Sequence, residues 1–219
     1  MLYRTVLRCL LASFSGSNLL LHALAVISTV VLVLTGIDWA WGRLARTSDI
    51  IQYLGVGAAL AGVAAPVLVP VVAFGLGRAR PELGLRAAGI AMGLAVVFSF
   101  LLSTLLKAFT GRLAPEPFET LGGVDFSTDF RFGWLAGEGL WDSVIEGWPS
   151  GHAMTVVAMV VAGLFFCEHR GLRIVAVAFA LYMVVGVSAT IHWASDAVAG
   201  ALVGIAIGRG VGWTFRSRS

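Results

Sequence analysis

The sequence predicts an all-α fold: a polytopic membrane protein with six transmembrane helices in one bundle. Three observations predict it. The chain is 58% hydrophobic and only 12% charged, with a mean hydropathy of +0.92, well outside the range of ordinary soluble domains. Its apolar residues fall into six runs separated by polar connections. Its ionisable residues collect at the ends of those runs, where they reach water or headgroups at little cost. No glycine-serine linker, low-complexity tract or internal repeat divides the chain, so a single membrane domain over 1–219 is expected.

Residues Met1 to Ser17 set Arg4 and Arg8 among Leu2, Val6, Leu10, Leu11 and Phe14, the pattern of an interfacial helix over about 1–17. The run Leu19 to Ile37 is long enough for a first span, and no small-residue cleavage site follows it to suggest a signal peptide. Trp39 and Trp41 just beyond it read as interfacial anchors. Ile51 to Gly77 is the second span, with kinks expected at Pro66 and Pro70, which remove helix hydrogen bonds. Ala87 to Leu106 is the third, running straight into Lys107. A polar outer loop of about 111–148 follows, holding Glu116, Glu119, Asp125, Asp129, Glu138, Asp142 and Glu146. Such length between packed spans is usually functional. Ala153 to Cys167, Ile174 to Thr190 and Ala194 to Trp213 complete the set.

The positive-inside rule orients these spans. With both termini in the cytoplasm, the inner segments hold Arg4, Arg8, Arg78, Arg80, Arg86, Arg170, Arg173, Arg209, Arg216 and Arg218, and the outer ones only Arg43, Arg46, Lys107, Arg112 and Arg131. In a bacterial inner membrane the outer face is periplasmic. The arginines are scattered between apolar runs and form no basic face with interleaved aromatics, so nucleic acid is not an expected partner. Cys9 and Cys167 have no metal-ligand spacing and read as packing residues. His22 and His169 carry no companion groups and read as structural.

Three sets of chemistry-bearing residues fall at outer helix ends. Lys107 closes the third span, with Gly111 as a helix break and Arg112 beyond it; lysine and arginine there are suited to clamping phosphate oxygens. The stretch Trp148-Pro149-Ser150-Gly151-His152 opens the fourth span, with proline in the first turn. Open backbone N–H groups at Ser150 and Gly151, with the helix dipole, make an anion site beside His152. In His192-Trp-Ala-Ser-Asp196 the histidine and aspartate are one helical turn apart. A carboxylate in reach of one ring nitrogen fixes the tautomer and leaves the other nitrogen free to attack. Three such sets at one membrane depth point to acid–base chemistry on a phosphorylated lipid.

The Pro149-Ser150-Gly151-His152 turn, followed by His192-x-x-x-Asp196 and preceded by the Lys107 segment, resembles the type 2 phosphatidic acid phosphatase superfamily of integral-membrane lipid phosphatases. The resemblance implies a six-helix core, His192 as the nucleophile that forms a phosphohistidine, Asp196 as its partner and His152 as the acid for the leaving alkoxide. It implies phosphate binding by Lys107, Arg112, Ser150 and Gly151, and no metal or cofactor. Two positions depart from the family pattern. The arginine of the first motif is replaced by Ala114, although Pro115 is in place, and the Ser-Arg of the third motif is replaced by Val185 and Gly186. Losing such a charged donor costs roughly 3 to 4 kcal/mol of transition-state stabilisation. Arg112, Arg131, Arg43 and Arg46 are the candidate replacements.

The expected function is hydrolysis of a membrane lipid phosphate, as a phosphomonoesterase or pyrophosphatase, on the outer face, with the lipid substrate and bilayer lipids as partners. Transfer of the phosphoryl group to a second lipid uses the same intermediate. The missing arginines also motivate a non-catalytic protein that binds phospholipid headgroups. A transporter fits less well, because its site would sit near the bilayer midplane.

Overall fold

The computed structural model describes residues 2–115, 124–132 and 147–217. The helices are α1 (Leu2–Ser13), α2 (Ser17–Leu34), α3 (Ile37–Arg46), α4 (Asp49–Ala79), α5 (Leu85–Thr110), α6 (Gly151–Leu164), α7 (Arg170–Thr190) and α8 (Ala194–Arg216), with a short 3-10 turn at Pro81–Leu83. Among the described residues there is no strand, only an isolated antiparallel bridge between Arg112 and Phe130. Glu116, Glu119, Glu138, Asp142 and Glu146 of the expected outer loop lie outside the described residues.

Five helices, α2, α4, α5, α7 and α8, are long and apolar enough to cross a membrane, the marks of an integral membrane protein. The expected fourth span is different. Its helix, α6, has 14 residues, about 21 Å at 1.5 Å per residue, short of the ~30 Å hydrocarbon core of a bilayer. Every residue from Ala153 to Val160 is buried, because α6 is enclosed by α4, α5, α7 and α8. A helix that is apolar all round suits a protein interior as well as a membrane, and here neighbouring helices enclose it. Large side chains such as Leu60 and Val63 on α4, Val26 on α2 and Leu101 on α5 instead point outward, where lipid would meet them.

Small residues set the distances between the inner helices. Gly200, Gly204 and Gly208 line one face of α8, and a Cβ on them would lie 2.5, 2.6 and 2.6 Å from the carbonyl oxygens of Ser150, Met154 and Ala158. The backbones of α6 and α8 therefore touch, as in small-xxx-small packing of membrane helices. On α4, Gly62 takes the same role against His152 Cδ2 and Met183 Cε, 2.8 and 2.9 Å from where a Cβ would be. Helix α4 runs through Pro66 and Pro70 without a break, and both prolines are buried.

The amino-terminal helix is less superficial than its pattern suggests. Thr5, Cys9 and Ser13 form one buried stripe of α1, which packs against α8 with Ser13 beside Gly210, while Tyr3, Leu11 and Phe14 stay exposed. Trp41 donates from Nε1 to the carbonyl of Ser188 at 3.1 Å, and Trp39 lies 6.4 Å from Trp193, ring centre to ring centre. Both anchors thus bind α3 inward. His22 stacks on Phe14, and His169 caps α7 by accepting from the Leu172 N–H.

Candidate active site

Helix α6 begins at Gly151, two residues after the expected opening at Pro149. Ser150 is the N-cap, its Oγ accepting from Ala153 N at 3.3 Å, and Pro149 stands outside the helix after a cis Trp148–Pro149 bond. The Ser150 N–H is not open to an anion either, because it donates to the carbonyl of Asp196 at 3.0 Å. That leaves Gly151, at the first helical position, where a backbone N–H has no intrahelical partner. The turn is held from three sides: Trp148 Nε1 donates to Thr29 Oγ1 at 2.7 Å, Thr110 Oγ1 donates to the Trp148 carbonyl at 2.6 Å, and α8 takes Ser150.

His192 lies in the three-residue corner, 191–193, between α7 and α8, not on a helix. Its N–H donates to the Val187 carbonyl at 3.0 Å, and Trp193 is the N-cap of α8. Asp196, in the first turn of α8, reaches back so that Oδ2 accepts from Trp193 N at 3.2 Å and lies 3.7 Å from His192 Nδ1. The expected pair therefore forms across a helix start, and it leaves Nε2 of His192 as the nitrogen turned away from the carboxylate.

The carboxyl end of α5, the amino end of α6 and the α7–α8 corner converge here. The His152 and His192 rings are 6.2 Å apart between centres, inclined at 59°. Lys107 is 8% exposed and acts electrostatically on Asp196 and His192. Ser103, one turn earlier on α5, packs under Gly151. Burial pushes the His192 imidazole below its ordinary range; Lys107 and Arg112 push the same way and Asp196 opposes them.

Arg112 does not join the phosphate-binding side of this arrangement. It is 1% exposed and all three guanidinium nitrogens are engaged. Nε and Nη2 donate to the Ser127 carbonyl, Nη1 to Ser195 Oγ and Asp196 Oδ1, and Nη2 also to Asp38 Oδ2 at 2.8 Å. The guanidinium carbon is 4.6 Å from the centre of the Phe130 ring. Two carboxylates compete for one fork-shaped cation, so Arg112 is an internal ion pair and not a free clamp. Asp38 was not singled out in the sequence. Its signal was an acid directly beyond an apolar run, one of five acidic residues outside the loop.

A family model described as the PAP2 superfamily matches residues 88–218, more than half of the chain. This chain belongs to the PAP2 superfamily. A Lipid A 1-phosphatase from Rhizobium johnstonii is 35% identical over 111 residues, covering 50% of this chain and 40% of that protein's length. No solved structure matches. The matched region runs from the first turn of α5 to the end of α8 and takes in Lys107, Arg112, Ser150, Gly151, His152, His192 and Asp196, and it leaves out α1 to α4.

The two departures from the PAP2 pattern have different surroundings. Gly186 is buried on α7 against Ala58 of α4, whose Cβ occupies the space a side chain would need, and Val185 is turned outward. Helix α4 has closed the position of the third-motif arginine. Next to Ala114, the Pro115 carbonyl accepts from Arg46 Nη2 at 2.9 Å, and Arg46 also packs over Trp193. Arg131 is largely exposed and 3.8 Å from Asp129. Arg46 packs on the wall of the site at Trp193, but its head group donates to the carbonyls of Gly42 and Pro115.

Proposed function

We propose that this PAP2 protein hydrolyses a membrane lipid phosphate, a monoester or a pyrophosphate, at the outer face of a bacterial inner membrane. The supporting observation is the pair His152 and His192, 6.2 Å apart between ring centres, with Lys107 beside them and Asp196 behind His192. At that distance both rings can address one phosphoryl group. His192 Nε2 attacks phosphorus and the P–O bond to the lipid breaks, with His152 delivering a proton to the departing oxygen. Water then attacks the phosphohistidine, the P–N bond breaks, and phosphate leaves with His192 restored. Lys107 and the Gly151 N–H hold the equatorial oxygens. In this reading six helices cross or line one bundle, with both termini in the cytoplasm, and α6 is the sixth although it is short.

Phosphate release from a panel of lipid phosphates, including lipid A, tests the proposal. Wild type is expected to release phosphate, and His192→Ala and His152→Ala to lose at least about a hundredfold in rate. Equal rates in all three proteins would overturn it. Labelled donor with a second lipid separates hydrolysis from transfer, since transfer places the label on the acceptor. Headgroup binding that survives His192→Ala without phosphate release would point to the non-catalytic alternative.

A further inference from the structure

We infer that Asp38 is a positioning residue for this site: it holds Arg112 and Ser195 so that Asp196 presents its remaining oxygen to His192. The inference rests on the phosphatase reading given above. Asp38 sits in the first turn of α3, outside the region matched by the family model, and is completely buried. It lies on the face of α3 that is turned inward with Gly42 and Ala45, where an apolar residue would be expected, while Ile37 and Leu44 are exposed. A carboxylate is costly to enclose unless it is paired and hydrogen-bonded. Here it is both.

Its two oxygens serve two purposes. Oδ1 accepts from Ser195 N at 2.8 Å, and Oδ2 accepts from Ser195 Oγ at 2.5 Å and Arg112 Nη2 at 2.8 Å. The Ser195 N–H is one of the orphan donors at the start of α8. The N-cap residue there is Trp193, whose indole only donates, so it has no side-chain acceptor to offer. Asp38 supplies that cap from another helix. Through Arg112 it also sets the charge around the nucleophile: with Asp38 and Asp196 sharing one guanidinium, the buried group keeps a net negative charge facing His192. Without Asp38, Arg112 would neutralise Asp196 alone, and support for a positive imidazole would weaken.

The test compares wild type, Asp38→Asn, Ser195→Ala and His192→Ala as full-chain protein in lipid vesicles. It reads kcat and KM across pH and the titration of the His192 ring by NMR of histidine-labelled protein. The other charged or titratable groups facing His192, namely Asp196, Arg112, Lys107 and His152, are unchanged in Asp38→Asn. That variant is expected to lose about 10- to 100-fold in kcat with KM little altered, and to move the acid limb and the His192 titration to lower pH. A merely structural Asp38 would lower the folded fraction and leave the titration where it was. Wild-type kcat with an unmoved titration, or a loss confined to KM, overturns the inference. Should Asp38→Asn not fold, Ser195→Ala removes the hydroxyl strut and keeps every charge; a lowered kcat supports the inference and a wild-type kcat overturns it. If wild type releases no phosphate from any lipid, the phosphatase reading fails, and the His192 titration still decides the link to Asp38.

Discussion

Ser150 donates its backbone N–H to the carbonyl oxygen of Asp196 at 3.0 Å, which joins the turn carrying His152 to the helix start that supports His192. This one bond requires α6 and α8 to meet backbone to backbone. Gly200 permits it: a Cβ there would lie 2.5 Å from the Ser150 carbonyl and 3.2 Å from the Ala153 Cβ. Gly200→Ala is therefore expected to destabilise the protein by about 1–3 kcal/mol. Thermal unfolding in detergent checks the stability. Phosphate release at a temperature where the variant is folded should still be reduced, because the two histidines are spread apart.

Arg112→Gln should behave as loss of an internal ion pair. Removing the cation leaves Asp38 and Asp196 buried side by side, which costs about 3–5 kcal/mol. Arg112→Lys is expected to recover only part of that, since an ammonium cannot reproduce the fork that joins the two carboxylates. Chemical unfolding of both variants checks this. A variant with normal stability and a raised KM would instead identify Arg112 as the phosphate clamp.

Restoring the family arginine at position 186 is expected to fail. Ala58 of α4 fills the space, so Gly186→Arg must separate α4 from α7 and bury a guanidinium among apolar groups. We expect low yield of folded protein and no gain in phosphate release, read from solubilised expression and the lipid phosphate assay. Higher activity in Gly186→Arg would mean that α4 yields there.

The pH profile follows from the burial of His192. Its folded-state pKa is lowered, chiefly by desolvation, so the neutral nucleophile survives into more acidic solution than a free imidazole near 6.5 would. Activity is expected to fall only as pH drops through that lowered value. In Asp196→Asn the opposing carboxylate charge is gone, so the acid limb should move lower still while kcat falls. The measurement is kcat/KM against pH in both proteins; an acid limb above the free imidazole value in wild type would contradict the burial argument.

Much of the site was legible in the chain. Membrane character and the candidate group Lys107, His152, His192 and Asp196 follow from hydropathy, spacing and residue type, which are local properties. The expected histidine–aspartate pair is present, but it forms because the start of α8 turns the Asp196 carboxylate back toward the corner, and Ser150 caps α6 in place of the open N–H expected there. The fate of Arg112 was not legible, nor was Asp38, because their contacts join residues 74 to 157 positions apart. Nor could composition separate α6 from a lipid-facing span: an apolar run reads alike against lipid or against protein. Sequence alone determined which groups are present and at which helix ends they stand. Tertiary structure decided which of them face the reacting space and which are spent on one another, because a cation's role depends on the carboxylates packed around it, and helix packing alone sets that.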